Sequence, residues 1–238
     1  MISLTVGVLA LQGGFSEHLD LLRKATDEIS STNAFSSTAF TLLEVRTPDQ
    51  LAQCDALIIP GGESTTISFV AAQSGLLEPL RDFVKIKKRP TWGTCAGLIL
   101  LSDEANATKK GGQELIGGLG VRVHRNHFGR QIESFESLMA LPFLGAEAAA
   151  FPGVFIRAPV VEEVLSTNDD RPAVEVLAKL PGRLDRMKSG VSQAVTKDDS
   201  GDIIAVRQGN VLGTSFHPEL TKDARIHVWW LKQILDQQ

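Results

Sequence analysis

The chain has 238 residues, 43% of them hydrophobic, and a formal net charge of −4 at pH 7. This length can bury a sizeable core and favours one domain, while the interspersed charges argue against a nucleic-acid surface or a polybasic membrane patch. No stretch approaches the roughly 18 apolar residues that span a bilayer. Two cysteines are too few for a secreted disulfide framework, and the N-terminus lacks a basic signal-like segment. We therefore expect a cytoplasmic enzyme.

In chain order, the first half alternates predicted strands with predicted helices. Strands are predicted at 4–11, 41–45, 55–59 and 90–92, and helices at 16–25, 65–87 and 98–101. The long helical segment is expected to break near Gly75, and residues 26–39, rich in Ser, Thr and Asn, are predicted as a surface loop. This alternation predicts a mostly parallel sheet with helices on both faces.

The second half changes character to shorter strands separated by loops. Strands are predicted at 118–123, 153–158, 173–180, 203–208 and from 211 onward. We expect an irregular segment at 181–190, a hairpin turn at 197–202 and a C-terminal helix at 222–235. The pair Trp229-Trp230 in that helix is predicted to pack in the core or at an interface.

Residues 93–97 (GTCAG) connect a predicted strand to a helix-like run. A sharp strand-to-helix turn with small residues around one reactive side chain is typical of a nucleophile elbow, here with Cys95 as the nucleophile. A neutral thiol is weak and needs a base elsewhere. Taken alone, a cysteine such as Cys95 is more often a buried, inert side chain, which is our interpretation of Cys54, but the flanking glycines favour a nucleophile at Cys95. Two cysteines without a CxxC spacing argue against zinc.

A second motif, His217-Pro218-Glu219, ends the strand that starts at 211. In extended backbone, residues i and i+2 project to the same side, and Pro218 favours extended geometry at the residue before it. Glu219 can therefore reach one ring nitrogen of His217 while the other faces Cys95. This arrangement predicts a nucleophile, a base and an orienting acid, although His217 alone could serve a structural hydrogen bond.

The turn at residues 60–64 (PGGES) closes a strand and opens a helix. Glycines let backbone N–H groups approach a ligand there, and a helix N-terminus favours the negative charge of an oxyanion. A plain turn capped by Ser64 or Thr65 explains the same residues and stays open. Arg125 and Arg157 each end an apolar strand, so they are candidates for holding a carboxylate, with a surface arginine as the alternative.

These three motifs together resemble class I (triad) glutamine amidotransferases. Four segments narrow the resemblance to the glutaminase subunit of pyridoxal 5′-phosphate synthase: 6–13 (VGVLALQG), 60–66 (PGGESTT), 125–130 (RNHFGR) and 155–159 (FIRAP). The resemblance covers nearly the whole chain. With the strand pattern, it leads us to predict a three-layer, flavodoxin-like α/β fold and a single domain, 1–238.

The resemblance implies hydrolysis of L-glutamine to glutamate and transfer of ammonia to a separate synthase subunit, with no cofactor or metal. It implies that Cys95 is the nucleophile, His217 the base and Glu219 the orienting acid. It also implies glutamine binding by Gly62, Glu63, Ser64, Arg125, Ile156 and Arg157, an oxyanion hole from Gly61, Gly62 and Ala96, and Gln12 facing the synthase. Because the Gly61-Gly62 peptide can flip at low cost, we further expect the oxyanion hole to be ill-formed without the partner.

The segments 26–39 and 169–190 look longer than the family pattern requires. They leave the partner surface undefined, although neither touches a catalytic motif. Two alternatives remain: a glutaminase serving another pathway or hydrolysing γ-glutamyl compounds, and a non-catalytic subunit that keeps the fold for assembly.

Overall fold

A computed structural model describes residues 3–32, 35, 37–106, 113–125, 134–165, 171–180 and 202–237. The segment predicted at 181–190 lies outside these residues, and so does the hairpin turn predicted at 197–202 apart from residue 202. Residues 126–130 of the segment 125–130, and 169–170 and 181–190 of the segment 169–190, also lie outside them.

The described residues form twelve strands and six α-helices. The strands are β1 (Ser3–Leu9), β2 (Ala39–Val45), β3 (Ala56–Ile59), β4 (Thr91–Thr94), β5 (Ser102–Ala105), β6 (Leu119–His124), β7 (Phe135–Met139), β8 (Phe151–Phe155), β9 (Val160–Val164), β10 (Glu175–Leu180), β11 (Asp202–Gln208) and β12 (Val211–Thr214). The helices are α1 (Phe15–Ser30), α2 (Pro48–Ala52), α3 (Ser64–Gln73), α4 (Leu77–Arg81), α5 (Ala96–Leu101) and α6 (Arg225–Leu235).

One sheet organises the described part of the molecule, in the order β2-β1-β3-β4-β12-β11-β9-β6-β5, with β10 paired to β11. The five strands from β2 to β12 are all parallel neighbours. Beyond β12 the sheet continues through antiparallel pairs to β11, β9 and β6. A separate antiparallel pair joins β7 to β8. The predicted α/β fold with a mostly parallel central sheet is confirmed.

Alternate residues of the central strands bury on opposite faces of the sheet. Ile58 packs in a cluster with α1 and α6, whereas Leu57 and Ile59 pack in a second cluster with α3, α4 and α5. Helices therefore cover both faces, which makes three layers and explains why these strands are apolar without alternation. Trp230 is 3% exposed in the first cluster, as predicted for the core. None of the described helices is long and apolar enough to cross a membrane.

Helix α1 runs five residues further than predicted, so the expected loop was wrong at 26–30. Its buried face carries His18, Leu22, Ala25 and Ile29, a helical spacing that continues through the Ser- and Thr-rich residues. The Thr26 hydroxyl donates to the Arg23 carbonyl, so its polar group is satisfied within the helix. Composition suggested a loop, but burial of Ile29 keeps the segment helical.

Other boundaries also differ from prediction. The strand expected at 153–158 ends at Phe155, because Arg157 has a φ of 48° and leaves extended backbone. Helix α6 starts at Arg225, where Asp223 accepts hydrogen bonds from the Arg225 backbone and guanidinium. Strands β5, β7 and β9 were not predicted. The break near Gly75 is confirmed, since its φ of 71° ends α3.

Candidate active site

Four of the predicted site segments meet at the carboxyl edge of the parallel strands. Gln12 follows β1, Gly61 follows β3, Cys95 follows β4 and His217 follows β12. Strand β1 lies between β2 and β3, so this edge includes the point at which the strand order reverses. Open α/β sheets bind their ligands in the crevice at such a point.

Cys95 occupies a strained turn between β4 and α5. Its φ is 47° and its ψ is −101°, a conformation that non-glycine residues rarely adopt and that costs on the order of 1–3 kcal/mol. Its backbone N–H donates to the Thr214 carbonyl of β12 at 2.8 Å, which holds the turn in place. The side chain is 5% exposed, and Sγ lies 3.9 Å from the Ile156 carbonyl oxygen. This geometry is that of a nucleophile elbow.

His217 and Glu219 form a direct side-chain pair. His217 Nδ1 lies 2.8 Å from Glu219 Oε1, and both side chains are buried. The backbone between them differs from the extended geometry that was predicted, because Pro218–Leu220 forms a 3₁₀ turn. Pro218 stands at the first position of that turn, where its missing N–H costs nothing. The expected contact therefore arises from a tight turn rather than from alternation along a strand.

The other ring nitrogen of His217, Nε2, has no hydrogen-bond partner within the described residues. Burial alone would lower the pKa of His217, but the negative charge of a Cys95 thiolate, followed by the contact with Glu219, outweighs it and raises the pKa to about 10. Burial would likewise raise the pKa of Glu219, but contacts with His18 and then His217 hold it far below its usual range. These pKa shifts favour an imidazolium at His217 and a carboxylate at Glu219.

The turn after β3 packs directly against this pair. A methyl group at Gly61 would overlap the His217 ring, so a side chain is excluded there. The Gly61 carbonyl accepts from the Gly14 N–H at 3.2 Å. Gln12, predicted to face a partner, is half-buried, and its Oε1 accepts from the Glu63 N–H at 2.7 Å. The oxyanion hole formed by Gly61, Gly62 and Ala96 stays a prediction. The expectation that this hole is ill-formed without a partner stays a prediction as well.

Three predicted glutamine-binding residues come together at the start of α3. Glu63, not Ser64 or Thr65, caps the helix, since its carboxylate accepts from the backbone N–H groups of Thr65 and Thr66. Burial alone would raise the pKa of Glu63, but hydrogen bonds from Thr65 and Thr66 lower it to about 2. Arg125 Nη2 donates to Ser64 Oγ at 3.1 Å and lies 3.8 Å from Glu63 Oε1.

The last two predicted substrate residues follow β8. The Ile156 carbonyl faces Cys95 Sγ, while its side chain is 37% exposed at the same place. Arg157 is exposed, and its φ of 48° turns the chain sharply at this point. The structure therefore places Ile156 beside the predicted nucleophile and Arg157 on the adjoining surface.

The sequence reasoning missed a buried histidine pair behind the site. His18 of α1 and His227 of α6 are both fully buried, and His18 Nε2 lies 3.3 Å from Glu219 Oε2. A signal was available, because His18 falls at the start of the spacing 18, 22, 25, 29 that marks the apolar face of α1. Within the described residues, no group of three His, Cys, Asp or Glu side chains is arranged to hold a metal ion.

Comparison with known proteins decides the family. The model of the SNO glutamine amidotransferase family matches residues 8–236. This chain belongs to that family. The predicted resemblance to glutamine amidotransferases is therefore confirmed.

The relatives of this SNO-family chain agree with that assignment. A protein of Arabidopsis thaliana named probable pyridoxal 5′-phosphate synthase subunit PDX2 is 46% identical over 96% of this chain and 85% of its own length. Pyridoxal 5′-phosphate synthase subunit PdxT of Herpetosiphon aurantiacus is 42% identical over 96% of this chain and 99% of its own. A crystal structure described as a glutamine amidotransferase superposes with a TM-score of 0.70 at 38% identity, covering 95% of this chain and 97% of that one.

Proposed function

We propose that this chain is the glutaminase subunit of a pyridoxal 5′-phosphate synthase. It hydrolyses L-glutamine to L-glutamate and ammonia and delivers the ammonia to a synthase subunit. The observation that carries the proposal is Cys95 on a strained backbone turn, interacting with a buried His217–Glu219 pair whose Nδ1–Oε1 distance is 2.8 Å. The names of the relatives supply the pathway and the partner.

The first half of the reaction forms a thioester. The Cys95 thiolate attacks the side-chain carbonyl carbon of glutamine and forms a C–S bond. The electron pair of the C=O π bond moves to the carbonyl oxygen. Backbone N–H groups of Gly62 and Ala96 stabilise that oxyanion. When the intermediate collapses, the C–N bond breaks and protonated His217 gives its proton to the leaving nitrogen, which departs as ammonia.

The second half regenerates the thiolate. Neutral His217 takes a proton from water, and the resulting hydroxide adds to the thioester carbonyl. Collapse of this second intermediate breaks the C–S bond and releases glutamate. Glu219 keeps the His217 ring in one orientation through both halves and stabilises its protonated form.

The remaining parts of the proposal concern substrate, partner and compartment. Ile156, whose carbonyl lies beside Cys95 Sγ, and the contacting pair Arg125 and Ser64 bind glutamine, while the turn that contains Gln12 faces the synthase. Two cysteines, both unpaired, are consistent with a reducing cytoplasm. The family match over residues 8–236 supports a single glutaminase domain.

The proposal is tested by measuring glutamate release with and without the synthase subunit of a pyridoxal 5′-phosphate synthase. We expect turnover with the partner, and a loss of at least about a thousandfold in kcat for Cys95→Ala. The matched control is Cys54→Ala. Burial, followed by the charge of Asp55, raises the pKa of the Cys54 thiol to about 11, so this variant should keep wild-type turnover.

Three outcomes would contradict the proposal. Wild-type turnover by Cys95→Ala would exclude the thioester route. No turnover with an authentic synthase would favour a non-catalytic assembly subunit. Stimulation by the synthase subunit of a different amidotransferase, and not by this one, would favour another pathway.

A further inference from the structure

A series of polar groups in contact runs from Glu219 into the core. His18 Nε2 lies 3.2 Å from Thr94 Oγ1 and 3.3 Å from Glu219 Oε2, and His18 Nδ1 lies 3.0 Å from His227 Nε2. Of these two contacts at Nε2, only the one with Thr94 has hydrogen-bond geometry. Among the described residues, no donor meets hydrogen-bond geometry at Glu219 Oε2, so its polar contact is the 3.3 Å approach of His18 Nε2.

The position of the protons follows from what each atom can donate. A carboxylate only accepts, so the nitrogen that faces Glu219 Oε2 must carry a hydrogen. His18 is therefore protonated at Nε2, and its Nδ1 accepts from the Nε2–H of His227. This assignment leaves His227 Nδ1 as a bare acceptor, in agreement with its lack of a partner among the described residues.

The opposite assignment has two costs. If His18 carried its hydrogen at Nδ1, the lone pair of its Nε2 would face the Glu219 carboxylate. His227 would then carry its hydrogen at Nδ1, where a fully buried donor would meet no acceptor among the described residues. An unsatisfied buried donor is costly. Burial also keeps the pKa of His227 well below its ordinary value, so His227 stays neutral.

The rings are fixed by packing as well as by hydrogen bonds. Trp92 stands edge-on to His18 with a centroid distance of 5.7 Å and to His227 with a centroid distance of 4.8 Å. Its own indole N–H donates to Thr214 Oγ1 at 3.1 Å. Neither imidazole can rotate without displacing this buried indole, which gives the chain of groups a single arrangement.

We propose that His18, held in its Nε2–H form by His227, is a positioning residue that anchors the second oxygen of Glu219 and so aims the first at His217. Without this contact, Oε2 of the buried Glu219 carboxylate would have no polar neighbour among the described residues, and the carboxylate could rotate away from the His217 ring. His18 touches neither the predicted nucleophile nor the space in front of it, so it acts only through Glu219.

The ring forms can be measured without any activity. In the full-length chain labelled with ¹⁵N-histidine, two-bond ¹H–¹⁵N correlations distinguish Nε2–H, Nδ1–H and doubly protonated rings, and His18→Gln and His227→Gln assign the two signals. We expect both rings as Nε2–H at neutral pH. An Nδ1–H or doubly protonated His18 would overturn the proposal.

The kinetic test rests on the proposed function and uses the complex with the synthase subunit. His18→Leu removes the N–H that faces Glu219 and should lower kcat by about 10- to 100-fold, the scale of losing one polar contact to a charged group, with little change in KM. His18→Gln keeps an N–H near the same point and should recover most of the loss. The acidic limb of the kcat–pH profile should move to higher pH in His18→Leu, because Glu219 loses a group that favours its charged form.

Leu22→Ala is the matched packing control, since it removes a buried side chain from the same face of α1 without touching Glu219. It should lower the unfolding midpoint and leave kcat near the wild-type value. His18→Leu with wild-type kcat and an unmoved acidic limb would overturn the proposal, and so would His18→Gln that is no better than His18→Leu. If the wild-type complex itself released no glutamate, the proposed function would fail, and the ring forms would still decide the role of His18.

Discussion

At the scale of single residues, the site depends on charges that are buried together. His217 and Glu219 are 8% and 4% exposed, and isolated charges at such positions would be strongly disfavoured. Each charge has an opposite neighbour, so the ionised forms are favoured in the folded chain. Cys95, on its strained backbone turn, belongs to the same arrangement, because its charge is one of the causes that raise the pKa of His217.

The raised pKa of His217 leads to a pH prediction. Its ordinary pKa is 6.5 and its pKa in the folded chain is about 10, against the effect of burial and because of Cys95 and then Glu219. The stabilisation from the protonated ring is therefore complete below pH 6.5 and is lost as the pH rises through about 10. We expect kcat/KM of the complex to hold across neutral pH and to fall as the pH approaches 10.

A pH–rate profile of the wild-type complex checks this expectation. Glu219→Gln removes one of the two groups that raise the pKa, so its alkaline limb should start at lower pH. Cys54→Ala should leave the profile unchanged. A wild-type alkaline limb near pH 6.5 would contradict the charged-pair description of the site.

At the scale of elements, helix α3 shows how one residue can serve both structure and site. A glutamate is an unusual N-cap, but the Glu63 carboxylate satisfies two backbone N–H groups and two hydroxyls, those of Thr65 and Thr66. A negative charge at this position is also favoured by the helix dipole. The cap fixes the start of α3, where Ser64 meets Arg125.

The low pKa of Glu63 predicts a stability effect confined to one pH range. Its carboxyl pKa falls from 4.5 to about 2 on folding, so its contribution is present above about pH 4.5 and is lost as the pH falls toward 2. Glu63→Gln should lower the free energy of unfolding by about 1 kcal/mol at pH 7, the usual effect of losing a cap, and by progressively less in acid.

Urea unfolding at pH 7 and at several acidic pH values measures this difference. The matched control is Glu28→Gln, an exposed position of α1 at which the free energy of unfolding should change by less than about 0.5 kcal/mol. An equal loss at every pH would mean that the Glu63 carboxylate does not cap the helix through its charge.

At the scale of the whole molecule, burial differs between the two kinds of sheet. Strand β4 is buried along its length between α-helices, whereas β7, in a two-stranded pair, alternates half-buried and exposed residues up to a buried Met139. Amides of β4 should therefore exchange only by global unfolding, and those of β7 at least about a hundredfold faster by local opening. Hydrogen-exchange mass spectrometry measures this, and equal protection in both strands would contradict it.

Much of the fold and the site could be predicted because the signals are local. The apolar strands of the parallel sheet, the GTCAG elbow and the His217–Glu219 spacing are each contained in a few consecutive residues. Strand β9 (VVEEV) was missed because it is short and half polar, which gives no alternating pattern. The last turn of α1 was missed because composition outweighed the spacing that buries Ile29.

The helical spacing indicates that His18 is buried, but its partners could not be predicted because they are remote in sequence. His18 meets Thr94 and His227 across 76 and 209 positions, and no local pattern indicates which polar groups a buried histidine will meet. The same applies to Arg125 and Ser64, which lie 61 positions apart. These contacts follow from the sheet order rather than from any segment alone.

The sheet order also sets when the site can assemble during synthesis. Strand β4, which carries Cys95, pairs with β12, and the hydrogen bond from Trp92 to Thr214 between them joins positions 122 residues apart. A growing chain therefore holds Cys95, the predicted nucleophile, on a sheet that lacks one central strand until β12 has been made. Until then His217 and Glu219 do not exist, so no incomplete chain can release ammonia, and the strained turn at Cys95 lacks the Thr214 carbonyl that holds it.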